Sequence, residues 1–202
     1  MGSQIKQLSK ATRFATCIAS SIVVGGIILS NGGCRHQSLR VNEQATLMNE
    51  ESVMMFPTIS AEDLNKDPIT LPDDLAGNPA LVLVAFKRQQ QNNVNTWLNQ
   101  LAMIEETIPG VRVIETPTIS SFYWGWMAGF IDGGMRSGIP DHEARARTIT
   151  LYTNTQKFRD ALGLESSSTI YAVLLDDSGR VLRIEPGDFS QEKFDRLLDS
   201  QR

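Results

Sequence analysis

Thiol chemistry is the first possibility to test, because a cysteine can serve as nucleophile, metal ligand, redox centre or disulfide partner. The chain has two cysteines, Cys17 and Cys34, both in the first 34 residues of 202. No thiol follows Cys34, so a dithiol centre, a cysteine nucleophile, a disulfide and a thiolate metal site are excluded from the body of the chain. The two histidines, His36 and His142, supply neither a histidine-rich metal site nor a triad. Asp73-Asp74 and Asp176-Asp177 are paired carboxylates, but they stand in turn-like contexts and need no acid–base role. Asp132-Gly-Gly134 is an isolated glycine pair, not a phosphate loop. No motif calls for a cofactor or a metal. Binding chemistry is better supplied. Lys87-Arg88 directly follows an apolar run and could hold a carboxylate or phosphate, although a solvated loop is the plainer reading. Arg136, Arg145 and Arg147 bracket Asp141, His142 and Glu143. Such a cluster ordinarily makes surface ion pairs. Arg136 and Arg147 could instead join Arg88 in an anion-binding groove.

Aromatic residues concentrate in Ile119–Ile131, which holds Trp124 and Trp126, two of the three tryptophans. The chain is uncharged from Thr116 to Ile131, a stretch too short to cross a bilayer. Gly125, Gly129 and Gly133 recur every four residues and would share one helical face. Two roles remain open for that face: packing on the chain's own sheet, or contact with a partner protein or membrane interface.

These residues need elements to position them. Lys6, Lys10 and Arg13 precede an uncharged stretch from Phe14 to Gly33, the plan of a secretory signal or signal anchor. Cys34, after Gly32-Gly33, resembles a bacterial lipoprotein acceptor, although Asn31 stands where that signal favours leucine. Lipidation of Cys34, an uncleaved anchor and a cleaved leader all remain open. Residues 1–34 are therefore expected to be a membrane address and 35–55 a polar tether, with the domain at 56–202 facing the periplasm or cell exterior. The whole chain carries 19 Lys+Arg against 23 Asp+Glu. Beyond the head the balance is 16 basic to 23 acidic, which argues against a nucleic-acid partner.

Within the domain, Leu81–Phe86 is a continuous apolar run and predicts a strand buried on both faces. Val94, Trp97, Leu98, Leu101, Ile104 and Ile108 predict one amphipathic helix ending at Pro109-Gly110. Val111–Ile114 is a second strand, followed by an aromatic insert at 116–140. Thr148–Thr153 is a third strand, and Asn154 or Thr155 caps the next helix. Thr169–Leu175 turns through Asp176–Gly179 into Arg180–Ile184, and Ser190 caps a final helix whose Phe189 and Phe194 have staple spacing. The order specifies an α/β domain with a mixed sheet flanked by helices.

This pattern resembles the thioredoxin-like superfamily in its peroxiredoxin-type elaboration. Phe56-Pro57, Leu71–Phe86, the helix with Trp97, and the closing Ile170–Leu175, Asp177–Gly179, Arg180–Ile184 and Pro186-Gly187 carry the likeness. Redox members place a cysteine pair where the first strand meets the helix. Here that segment is Lys87-Arg-Gln-Gln-Gln-Asn-Asn-Val94. They also tend to place a proline before the third core strand, a place read here as Arg147-Thr148. Phe86–Gln89 with Trp97, and Met135–Ile139 with Arg147-Thr148 leading to Tyr152, resemble the ATP synthase assembly-factor family of the mitochondrial inner membrane and its bacterial relatives. That resemblance implies a membrane-associated helper for a protein client, a subunit of a membrane complex, with no thiol-disulfide or peroxidase activity. The expected ligand- or partner-contacting residues are Lys87, Arg88, Trp97, Trp124, Trp126, Arg136 and Arg147. A cysteine-independent enzyme or anion binder using the arginines, and a structural envelope lipoprotein, are the competing readings.

Overall fold

The computed structural model describes residues 53–121 and 127–199. The head with Cys34, most of the tether, and Trp124 and Trp126 lie outside the described residues. Among the described residues no helix is long and apolar enough to cross a membrane.

The central strand is β3, Ala80–Ala85, and all six of its residues are buried, as its unbroken apolar run requires. It pairs in parallel with β4, Arg112–Ser120, from Ala80↔Arg112 to Ala85↔Pro117. On its other side it pairs antiparallel with β6, Tyr171–Leu175. Two further strands complete the sheet: β5, Leu151–Thr153, parallel to β4, and β7, Val181–Pro186, antiparallel to β6. The sheet order is β5-β4-β3-β6-β7. A separate antiparallel pair, β1 (Ile59–Glu62) and β2 (Pro68–Leu71), precedes it.

Alternation along β3 divides the core into two layers. Val82 and Val84 pack with Phe56, Leu71, Ile149 and Phe158 on one face. Leu81 and Leu83 pack with Val94, Trp97, Ile104 and Phe194 on the other. The second layer is covered by α1 (Gln91–Leu98), α2 (Leu101–Thr107) and α6 (Gln191–Asp199). The first is covered by α5, Thr155–Ala161, started by Asn154, whose side chain accepts from Lys157 N at 3.0 Å. Gly163, at φ +62°, follows the end of α5 where only glycine is unstrained. Ser190 Oγ accepts from Lys193 N, and Phe189 and Phe194 meet at 6.1 Å, so the final helix starts with the expected cap and staple.

Four elements differ from expectation. The single helix through Ile108 is interrupted at Asn99-Gln100, where Gln100 N bonds to Trp97 O three residues back rather than four. β4 does not stop at Ile114; it runs on to Ser120, so the first part of the expected insert is strand. Thr148 and Ile149 make only isolated bridges, and β5 begins at Leu151. The strand antiparallel to β3 is β6, so the segment entering the strand beside the centre is Ser166–Ile170, not Arg147-Thr148. That segment holds no proline either.

The rest of the insert contains α3, Ala128–Gly138, and α4, His142–Arg147, which Asp141 caps by accepting from Ala144 N at 2.7 Å. No residue of α3 is buried. It is held by polar contacts: the Tyr152 hydroxyl reaches Ala128 O at 3.2 Å and Asp132 Oδ1 at 3.0 Å, and Arg136 Nε donates to Leu64 O at 2.5 Å. Four of its eleven residues are glycine, none at positive φ, and a Cβ on any of them would meet nothing within 4 Å. Each interior glycine costs a helix roughly 0.5–1 kcal/mol against alanine. Among the described residues no close contact requires glycine at these positions.

Candidate functional site

The carboxyl ends of β3 and β4 open into a shallow cleft of about 200 Å³, lined by Phe86, Thr118, Ile119, Ser120, Thr155 and Ser167. In an open α/β sheet this is the end at which ligands collect. The topology assembles the lining: β4 outruns β3 by three residues, exposing Thr118–Ser120 above the end of the central strand. Phe86 forms one wall and is steadied edge-to-face by Tyr171 at 6.4 Å. The Thr118 hydroxyl donates to Thr116 O at 3.1 Å. The lining offers hydroxyls and apolar carbon, with no titratable side chain, so the cleft can bind by hydrogen bonds and packing but supplies no nucleophile with a base beside it.

The segment joining β3 to α1 is closed by an amide. Gln90 is 5% exposed amid a run of polar residues. Its Oε1 accepts from Phe86 N at 2.8 Å and Lys87 N at 3.0 Å, and its Nε2 donates to Ser167 O at 3.1 Å. One neutral side chain thus ties the turn after β3 to the loop before β6, with both acceptor directions of its oxygen and one N–H used. Lys87 and Arg88 ride on this turn, both exposed.

A second buried polar residue lies on the α1 face of β4. Glu115 is 5% exposed; it is hydrogen-bonded by Gln91 and feels the charge of Arg147. Burial outweighs both and raises its carboxyl above the ordinary carboxylate range. Among the described residues it has no ion pair. Glu185, equally buried, shows the contrast: Arg196 grips it at 2.8 Å and Arg183 at 3.4 Å, and the Arg196 hydrogen bond leads in holding its pKa down against burial.

The other expected site residues separate. Trp97 is a correction: it is fully buried, donates Nε1–H to Gly187 O at 3.0 Å and packs edge-to-face on Phe189 at 5.1 Å. It is a core residue and offers no surface to a partner. Arg88, Arg136 and Arg147 do not converge on the cleft, and none of them lines it. Arg136 is committed to Leu64 O, and the charge of Arg147 is felt by Glu115. His142 is exposed. Trp124, Trp126 and Cys34 fall outside the described residues. Gln90 and Glu115 are the two residues that sequence reasoning missed. Gln90 hid among Gln89–Asn93, while Glu115 gave a signal, a lone charge interrupting an apolar strand pattern.

A mixed sheet with a central βαβ unit, an antiparallel closing hairpin and a terminal helix defines a thioredoxin-like domain, here with Lys-Arg-Gln where redox members carry sulfur. The chain belongs to the ATP10 protein family, whose family model matches residues 43–200. The family-level likeness read from Phe86–Gln89 and Met135–Ile139 therefore holds. No curated protein matches the chain at a significant level. Among solved structures, an Aquifex aeolicus protein whose proposed role is electron transfer superposes with a TM-score of 0.52 at 14% identity, covering 74% of this chain and 97% of its own. The exposed lipoprotein thioredoxin Etrx1 of Streptococcus pneumoniae matches at TM-score 0.49 and 14% identity, over 71% of this chain and 99% of its own. A SCO1/SenC family lipoprotein of Bacillus anthracis matches at TM-score 0.49 and 14% identity, over 76% and 97%.

Proposed function

We propose that the chain is a noncovalent assembly helper for ATP synthase, held at a membrane by its N-terminal segment with the domain outside the cytoplasm. Family membership over residues 43–200 supports the assembly role. The observation that carries the noncovalent mechanism is the closed β3–α1 turn. Where a thiol pair would do chemistry, Gln90 makes three hydrogen bonds and no sulfur is present. The basic and apolar pattern of residues 1–34 supports the membrane address. The client meets the domain through exposed residues, of which Lys87 and Arg88 at the turn and Phe130 on α3 are the clearest. The arginine-based enzyme reading loses its support, since the three arginines do not meet and no base stands in the cleft.

Affinity purification of the full chain from detergent-solubilised membranes tests the reading. Recovery of ATP synthase subunits, at levels unaffected by thiol-blocking reagent, is the expected outcome. Recovery of no synthase subunit would remove it.

A further inference from the structure

Glu115 stands where three elements meet. Its mate on β3 is Leu83, so its carboxyl lies in the layer under α1, and Gln91, the first residue of that helix, hydrogen-bonds it. On the other side of β4, the bridge Glu115↔Thr148 and the pairing Thr118↔Leu151 keep one register, which sets Thr150 beside Pro117. Ile149 and Leu151 pack in the opposite layer, so Thr150 shares the face of Glu115. Thr150 is 3% exposed, and its hydroxyl is the one buried side-chain polar atom among the described residues without a hydrogen-bond partner. A folded protein rarely leaves such a group unpaired. Arg147, the last residue of α4, is half-buried, and its charge reaches Glu115. Among the described residues its guanidinium makes no hydrogen bond or ion pair. Two unspent donors therefore stand around one buried carboxyl. The other charges of the elements nearby are turned elsewhere. α1 carries none, Glu105 and Glu106 of α2 are exposed, His142 and Glu143 of α4 are exposed, and Arg145 Nε donates to Asn65 Oδ1 at 3.0 Å.

We propose that Glu115, Arg147 and Thr150 form a proton-operated latch between the start of α1 and the end of α4. With its proton bound, the carboxyl is neutral, Gln91 holds it, and the latch is open. When the proton leaves to solvent, a buried carboxylate needs donors and a countercharge. The Arg147 guanidinium supplies both, and the Thr150 hydroxyl supplies a second donor, so ionisation draws the two side chains onto Glu115. Burial leads in raising the carboxyl's pKa, so the open form persists at pH values where an exposed glutamate is already ionised. Closing ties the segment after the Gln90 clasp to the insert that carries α3 and α4.

A pH titration by NMR tests it, on the full chain in detergent micelles with carbon-13 glutamate and nitrogen-15 arginine. The Glu115 Cδ and Arg147 Nε signals are assigned by their loss in Glu115→Gln and Arg147→Gln, and both are followed from acid to neutral pH. The expected result is a Glu115 midpoint above the ordinary carboxylate range, with the Arg147 Nε signal moving at that same midpoint. In Glu115→Gln the Arg147 signal should no longer change with pH. Thr150→Val, close in shape but without the hydroxyl, should move the Glu115 midpoint to higher pH, because the carboxylate loses a donor. A Glu115 midpoint within the ordinary range overturns the proposal. So does an Arg147 signal that stays still while Glu115 titrates, which would mark a buried acid with no latch. An unchanged midpoint in folded Thr150→Val overturns it as well. The wild-type titration decides between the first two outcomes whether or not the variant folds.

Discussion

Gln90 closes the segment where related redox domains carry their thiols, and its removal has a calculable effect. Gln90→Leu abolishes hydrogen bonds to Phe86 N, Lys87 N and Ser167 O, at 2.8, 3.0 and 3.1 Å. Each is worth about 1 kcal/mol net, and a donor or acceptor left buried without a partner costs about 1–3 kcal/mol. Lys87 is exposed, so water can repair part of the loss there, while leucine gains some apolar burial. The sum is a loss of about 2–4 kcal/mol. For a domain of this size that lowers the melting midpoint by roughly 5–15 °C, at about 2–4 °C per kcal/mol. Urea unfolding followed by tryptophan fluorescence should show an earlier midpoint at unchanged slope. Gln90→Glu is the matched control. It keeps the acceptor for Phe86 N and Lys87 N but sets a carboxylate against the Ser167 carbonyl, so its defect should shrink in acid as the carboxyl protonates and can donate. A loss below about 1 kcal/mol for Gln90→Leu, or a Gln90→Glu defect indifferent to pH, would refute the view that this amide holds the two loops together.

Three further expectations follow from single residues. Glu115 has a raised pKa through burial, so the folded state binds its proton more tightly than the unfolded chain; Glu115→Gln should be more stable than wild type at neutral pH, with the advantage fading as pH falls from the raised folded pKa to the ordinary carboxylate value and gone below it, and equal stability at neutral pH would contradict it. Gly179 stands at φ +82°, and a Cβ there would lie 2.5 Å from Pro72 Cγ, so Gly179→Ala should cost more than about 1 kcal/mol in denaturant titration, whereas a neutral effect would show that the turn moves freely. Tyr152→Phe removes the hydroxyl that holds Ala128 O and Asp132; amide hydrogen exchange should quicken through α3 and stay unchanged in β3, and protection unaltered in α3 would count against the polar tether.

Legibility differed between elements for physical reasons. β3 was plain because a strand covered on both faces must be apolar throughout. Asn154, Ser190 and the Phe189–Phe194 staple were plain because capping is local chemistry. β4 was cut short at Glu115, since an apolar run signals burial only while no carboxyl interrupts it. The spacing around Trp97 announced an apolar helix face, yet placed in the core what the family likeness had offered as a contact. Chain order does not give sheet order: β5 precedes β6 in sequence, but β6 lies beside the centre. Gln90 looked like its amide neighbours, and only the loop from Ser166 to Thr169, distant in sequence, distinguishes it. The glycine spacing around Gly129 and Gly133 was visible, but which side of the helix faced outward depended on Tyr152 and Leu64.

The central claim is that this thioredoxin-like domain serves ATP synthase assembly without thiol chemistry. Native electrophoresis of membranes from cells lacking the chain measures it most directly, with assembled ATP synthase quantified before and after re-expression. The account expects less assembled enzyme in the deletion strain and full recovery with either the wild-type chain or Cys17→Ala. An unchanged amount of assembled enzyme in the deletion strain would contradict it.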